Sequence, residues 1–186
     1  AGSAKVKLRT LTGFLESNLH RMKYDEYLAA GCPIATGVID CRGFKTKFPE
    51  EAQVETALRL KDAGVELVCL AGFLRLVKRP LLDTFPNRIL NIHPALLPAF
   101  PGLESWKQAL DAGATEAGCT VHFVDEGMDT GPIILQERVP ILSDDTAEVL
   151  HARIQVVEHR LYPAALQWIV QGRVHVHGRR VAVDKA

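Results

Sequence analysis

The run Val65-Glu66-Leu67-Val68-Cys69-Leu70-Ala71 is apolar at both alternating phases apart from one glutamate, the pattern of a strand covered on both faces. The segments around it alternate between strand and helix periods. Val6–Thr12 predicts a strand ending at Gly13, and Ser17-Asn18 predicts a cap for a helix through Leu19, Met22 and Leu28, stopped by Gly31 and Pro33. Pro33–Asp40 predicts a second strand, and Glu50–Ala63 a helix with Val54, Ala57, Leu58 and Leu60 at helical spacing, ended by Gly64. A short helix over Arg79–Phe85 then leads into a brief strand, Arg88–Ile92, which stops at His93-Pro94. Strands separated by helices pair in parallel through right-handed crossovers.

Further along, Leu103–Ala112 predicts a helix and Gly118–Val124 and Ile133–Val139 predict strands. Thr146–Val170 predicts a long helix capped by Asp144 or Asp145 and ended by Gly172. The tail from Arg173 to Val183 alternates on both sides of His177-Gly178, as a hairpin on the sheet edge would. The expectation is one α/β domain over residues 1–186 with a largely parallel central sheet, flanking helices and a C-terminal hairpin.

Composition narrows the partners. Lys plus Arg and Asp plus Glu both number 22, so no net field draws the chain to nucleic acid or to an anionic membrane, and neither is expected as a partner. Cys32, Cys41, Cys69 and Cys119 form no CxxC pair, which fits reduced thiols and a cytoplasmic location. Ala1-Gly2-Ser3-Ala4 lacks the build of a signal peptide, and no stretch reaches the roughly 20 apolar residues of a membrane span.

In an open parallel sheet, ligands bind beyond the carboxyl ends of the strands. Three segments of unusual composition fall there: Gly72-Phe73-Leu74-Arg75, Asn91-Ile92-His93-Pro94 and Asp125–Pro132. Asn91 and His93 are two residues apart and share a strand face, where an amide donor beside an imidazole suits a developing oxyanion. Asp129 lies in the turn-rich Glu126-Gly127-Met128-Asp129-Thr130-Gly131-Pro132, and a carboxylate near an imidazole favours the charged ring and orients it. Plainer readings stand beside these. Asn91 and His93 taken alone make a satisfied strand-end pair, Asp129 an ordinary turn residue, Ser17-Asn18 a cap, Arg75 a surface ion pair, and His175 and His177 surface residues. His93, His122 and Asp129 have no accompanying i, i+4 histidine pair or cysteine pair, so no metal is expected.

Taken together, Leu70-Ala71-Gly72-Phe73-Leu74-Arg75, Asn91-Ile92-His93-Pro94-Ala95-Leu96-Leu97-Pro98, Pro101-Gly102-Leu103, His122-Phe123-Val124 and Met128-Asp129-Thr130-Gly131-Pro132-Ile133-Ile134 closely resemble the phosphoribosylglycinamide formyltransferase family, over residues 38–184. The resemblance implies a Rossmann-like formyltransferase fold. It also implies transfer of the formyl group of 10-formyltetrahydrofolate, a co-substrate, to the amine of glycinamide ribonucleotide in purine biosynthesis, without a metal. It puts Asn91 and His93 on the oxyanion, Asp129 in support of His93, and His122 in ordering the site. Folate would lie against Leu70, Phe73, Arg75, Leu76, Val77, Val124, Glu126 and Asp129. Gly72, Pro94 and Glu158 would meet the ribonucleotide, with Glu158 on its amine, although Glu158 alone reads equally as a solvated helix face.

The family's phosphate loop resembles G-x-G-S-N, and here Gly13-Phe14-Leu15-Glu16-Ser17-Asn18 keeps the first glycine, Ser17 and Asn18 but lacks the second glycine, and Glu16 places an anion where an anionic ligand would sit. The interval from Asn18 to Gly31 is also shorter than the family's, by about one strand and helix. Residues 1–40 thus form an atypical nucleotide-binding part and 65–186 the folate-binding and catalytic part. A lost strand would leave a sheet edge that favours a homodimer. Two other readings stay open: a formyltetrahydrofolate hydrolase, with water as acceptor, and a folate-binding paralogue without turnover.

Overall fold

The computed structural model describes residues 8–12, 38–40, 49–73 and 75–184. It divides into two compact units, Ala1–Asn91 with Val124–Glu126, and Ile92–Phe123 with Gly127–Ala186. Ser17, Asn18 and the helix expected after them lie outside the described residues, as do residues 33–37 of the second expected strand.

The first unit contains β1 (Leu8–Thr12), β2 (Val38–Asp40), α1 (Glu50–Asp62), β3 (Leu67–Ala71), α2 (Arg79–Thr84) and most of β4 (Ile89–His93). The strands run β2-β1-β3-β4, all parallel, with Thr10 opposite Val38, Leu8 opposite Leu67 and Val68 opposite Ile89. This is the expected Rossmann-like α/β layout.

Helix α1 carries Glu50 and Glu51 in its first turn and Arg59 and Lys61 in its last, matching its dipole at both ends. Its Ala57 and Leu60 pack with Val65, Val68, Leu70, Phe73, Val77, Leu81, Phe85 and Ile89 in one buried apolar cluster. Gln53 is buried among them, and its amide donates to the Leu76 carbonyl at 3.2 Å while its oxygen accepts the Lys78 N–H at 2.7 Å. The strand β3 begins two residues later than expected because the Val65 N–H still bonds to the Leu60 carbonyl at the end of α1.

The second unit contains α3 (Ser105–Asp111), β5 (Glu116–Phe123), β6 (Ile133–Pro140), α4 (Ala147–Val170), β7 (Val174–His177) and β8 (Arg180–Val183). β5 and β6 pair antiparallel with a bulge between Val121 and His122, so that Thr120 stands opposite Gln136 and His122 opposite Ile133. A Cβ at Gly118 would come within 2.2 Å of the Glu137 carbonyl oxygen and 2.5 Å of Leu96, so the close pairing there requires glycine. Leu150, Ile154, Val157, Leu161, Ala165 and Ile169 form a buried stripe of α4 at helical spacing.

Three expectations need correction here. α3 starts at Ser105 rather than Leu103 because Glu104 is left-handed, with φ 50°. The cap of α4 is Thr146, whose hydroxyl accepts the Val149 N–H, and neither Asp144 nor Asp145 fills that place. Asp145 is drawn elsewhere: its carboxylate accepts the Leu142 N–H at 2.8 Å and both Arg153 terminal nitrogens at 2.6 Å. Finally, the tail hairpin is a two-stranded sheet of its own and reverses at Gly178-Arg179 instead of joining the sheet edge. It is fixed at its base by paired bonds between Arg173 and Asp184 rather than by a ladder to a third strand.

Candidate active site

The site in the second unit is built from a loop that ordinary secondary structure cannot hold. Residues 94–104 contain a cis Leu97-Pro98 bond and left-handed backbone at Phe100, Gly102 and Glu104. Side chains from the neighbouring elements supply the hydrogen bonds this backbone lacks. The Ser105 hydroxyl donates to the Pro94 carbonyl at 2.9 Å. The fully buried Thr120 hydroxyl donates to the Ala95 carbonyl at 2.6 Å and accepts the Leu97 N–H at 3.2 Å. Gln136 donates to both the Leu97 carbonyl and the Thr120 oxygen at 2.9 Å. Gln108 donates to the carbonyls of Pro101 and Leu103, at 3.2 and 2.8 Å.

The loop returns Phe100 and Gly102 to the end of β4. The His93 ring is buried at 5 % exposure, and its Nε2 donates to the Phe100 carbonyl at 2.9 Å. Its Nδ1 lies 3.4 Å from Oδ2 of Asp129, and that same oxygen accepts the Gly102 N–H at 2.8 Å. The other Asp129 oxygen is 3.8 Å from Nε2 of His122, whose Nδ1 donates to the Phe123 carbonyl at 2.7 Å. Asp129 itself is left-handed, with φ 55°, in a turn whose base is closed by the Phe123 N–H on the Pro132 carbonyl.

Both ring nitrogens of His93 therefore face oxygen atoms, Nε2 within hydrogen-bond distance and Nδ1 just beyond it. The carboxylate beside Nδ1 is itself fixed by the Gly102 N–H. The 3.4 Å spacing exceeds that of a charge-assisted bond, about 2.7–2.9 Å, so Nδ1 is not committed to the carboxylate. Asn91 precedes His93 by two residues on β4.

The remaining candidates fall as follows. Leu70, Phe73 and Val77 are buried in the first unit, whereas Leu76 is exposed. Gly72 is left-handed at φ 62°, directly after β3. The Arg75 guanidinium stands 6.0 Å over the Phe73 ring, and its buried Nε has no hydrogen-bond partner among the described residues. Val124 donates its N–H to the Ile89 carbonyl, and Glu126 pairs with Arg79. Leu76, Val77, Arg79 and Glu126, with Glu50 and Lys78, line a shallow pocket of ≈ 260 Å³. Glu158 is half-buried on α4, and its charge, after burial itself, helps push the Cys119 thiol up to about 12, with Arg160 opposing. His175 is paired with Asp184 at 2.9 Å. Among the described residues, no group of three or more His, Cys, Asp or Glu side chains could hold a metal ion, and no helix is long and apolar enough to cross a membrane.

Sequence reasoning missed Ser105, Gln108, Thr120 and Gln136, which hold the loop, and the Gly102 N–H that holds the carboxylate. Thr120 carried the one available signal, a hydroxyl in the otherwise apolar centre of β5.

A buried imidazole beside a fixed carboxylate, at the end of a parallel strand in an α/β protein, defines a class: sites that offer a hydrogen-bond donor to an oxyanion and a base for a proton released during attack on a carbonyl. Comparison with known proteins resolves that class further. The formyl transferase family profile matches residues 21–166. The chain belongs to the formyl transferase family. It is 49 % identical over 157 residues to the trifunctional purine biosynthetic protein adenosine-3 of Drosophila pseudoobscura pseudoobscura, covering 84 % of this chain and 11 % of that one. It is 45 % identical over 129 residues to the phosphoribosylglycinamide formyltransferase of Bacillus subtilis, covering 69 % of this chain and 65 % of that one. The crystal structure of glycinamide ribonucleotide transformylase 1 from Symbiobacterium toebii superposes with a TM-score of 0.82 at 40 % identity, over 97 % of this chain and 94 % of that one. The chain thus spans about a tenth of the trifunctional relatives' length.

Proposed function

We propose that this chain transfers the formyl group of 10-formyltetrahydrofolate to the amine of glycinamide ribonucleotide. The observation that carries the reading is the His93–Asp129 pair, with Gly102 fixing the carboxylate. In this reading the amine nitrogen attacks the formyl carbon, and the oxygen that becomes negative is held by the Asn91 amide and the Nδ1 proton of His93. Asp129 supports the His93 ring and takes the proton leaving the amine, directly or through water, and passes it on. As the tetrahedral carbon collapses, its bond to the folate nitrogen breaks, that nitrogen gains a proton, and the formyl group stays on the new amide.

The first unit supplies fitting donors for the folate. The orphaned Arg75 Nε offers a hydrogen bond to a ligand oxygen, the exposed Leu76 supplies apolar surface, and the buried Leu70, Phe73 and Val77 back it, with Val124 and Glu126 at the turn. Gly72, Pro94, His122 and Glu158, with Ser17 and Asn18, are assigned to the ribonucleotide. The buried free thiols Cys69 and Cys119 suit a reducing, cytoplasmic setting.

A steady-state assay of formyl loss, with and without glycinamide ribonucleotide, tests the reading. Turnover that requires the ribonucleotide is expected, and Asp129→Asn should lower kcat by about 10²–10⁴-fold. Turnover without it would mark a hydrolase, and none with either would mark a binding paralogue.

A further inference from the structure

We infer that Arg179, at the tip of the C-terminal hairpin, is a positioning residue for the Asp129 carboxylate, an inference that rests on the formyl-transfer reading for its kinetic consequence. The turn that carries Asp129 is held from several sides. Its backbone is left-handed at Asp129, a conformation that L residues adopt at some cost and that surrounding structure must therefore enforce. The Thr130 side chain fills the space over Gly127, where an added Cβ would come within 2.0 Å of the Thr130 hydroxyl. The Gly102 N–H holds the carboxylate itself. The guanidinium of Arg179 donates to the Thr130 carbonyl, on the residue directly after Asp129, from 49 positions away along the chain.

The hairpin is built to deliver that contact from a fixed base. Arg173 donates to the Asp184 carbonyl, accepts the Asp184 N–H at 2.9 Å, and lays its guanidinium 5.4 Å over the Trp168 ring of α4. His175 pairs with the Asp184 carboxylate at the same end. Four-residue strands then run out to a two-residue reversal with Gly178 at φ 61°, the geometry a tight hairpin turn requires, and Arg179 follows it. The α4–hairpin–Arg179 connection acts as a strut against the outer side of the turn, while Gly102 acts on the carboxylate. Removing the strut lets the turn relax, and Asp129 then drifts from Nδ1 of His93.

Two variants and two readouts test this in the full chain. Arg179 is exposed and outside the core, so Arg179→Ala is expected to fold, and Arg179→Lys keeps a donor. A displacement of about 1 Å costs up to about 100-fold in rate, and one exposed bond lies below that ceiling, so Arg179→Ala is expected to lower kcat by about threefold to tenfold at unchanged KM, with Arg179→Lys recovering most of it. Independently of turnover, amide hydrogen exchange at Gly102 reports whether Asp129 still accepts its N–H. Exchange at Gly102 is expected to quicken in Arg179→Ala and to return toward the parent rate in Arg179→Lys. Parent-like Gly102 protection in Arg179→Ala overturns the inference, as does a loss of protection that Arg179→Lys fails to restore. If the parent protein shows no ribonucleotide-dependent turnover, the formyl-transfer reading falls while the Gly102 exchange still decides the role of Arg179.

Discussion

Both units of this chain bury an apolar core, and they differ in how many buried polar side chains are added to it. In the first, the described strands and helices bury an apolar cluster running from Ala57 to Ile89, with Gln53 and Thr56 as its buried polar side chains. In the second, His93, Ser105, Thr120 and His122 are all buried, and each is spent on a backbone carbonyl or N–H of a loop or strand end. Apolar burial is non-directional and tolerates small shifts, whereas a hydrogen bond loses its strength over a few tenths of an ångström. The unit that must hold a reactive side chain in one orientation is the one that adds more directional bonds to its apolar core.

Matched substitutions sharpen this contrast. Leu81 is fully buried in the apolar cluster, and Leu81→Ala should destabilise the protein by about 2–5 kcal/mol, measured by chemical denaturation. Turnover per folded molecule should stay near the parent value. Thr120→Val keeps the shape but strands the Leu97 N–H and the Ala95 carbonyl, at a smaller cost of about 1–3 kcal/mol, and it should depress kcat as well, because the 94–104 loop carries Phe100 and Gly102 to His93 and Asp129. If Thr120→Val proved kinetically silent while Leu81→Ala slowed turnover, the proposed division of labour would be wrong.

The same contrast explains what could be read from the chain. The parallel strands were legible because Leu67–Ala71 has no polar face and the helices around it carry regular apolar stripes and glycine stops. Asn91, His93 and Asp129 stood out through their turn-rich settings and the family likeness, and the structure brings His93 and Asp129 together. The supports of the loop were not legible. Gln108 and Gln136 look like exposed polar positions, and their role depends on which carbonyls a left-handed backbone at Phe100 and Gly102 turns toward them. The cap of α4 was misassigned for a related reason: three consecutive residues, Asp144, Asp145 and Thr146, all have capping chemistry, and the choice was made by Arg153, two turns into the helix.

That choice leads to the smallest expected effect. The hydrogen bonds from Arg153, followed by the Leu142 N–H, hold the Asp145 carboxyl below its ordinary range. A carboxyl with a lowered folded-state pKa contributes stability that is complete above the unfolded value, about 3.9, and is lost as pH falls through the folded value. Asp145→Asn keeps an oxygen for the Leu142 N–H but discards the ion pair, so its stability should fall short of the parent by a constant margin at neutral pH. That margin should close as the pH is lowered past the ordinary carboxylate range. Denaturation curves at neutral and acid pH read this directly. A margin that persisted at low pH would mean that Asp145 acts by packing rather than by charge, and the second unit's reliance on directional polar bonds would then stop short of the helix that follows its antiparallel pair.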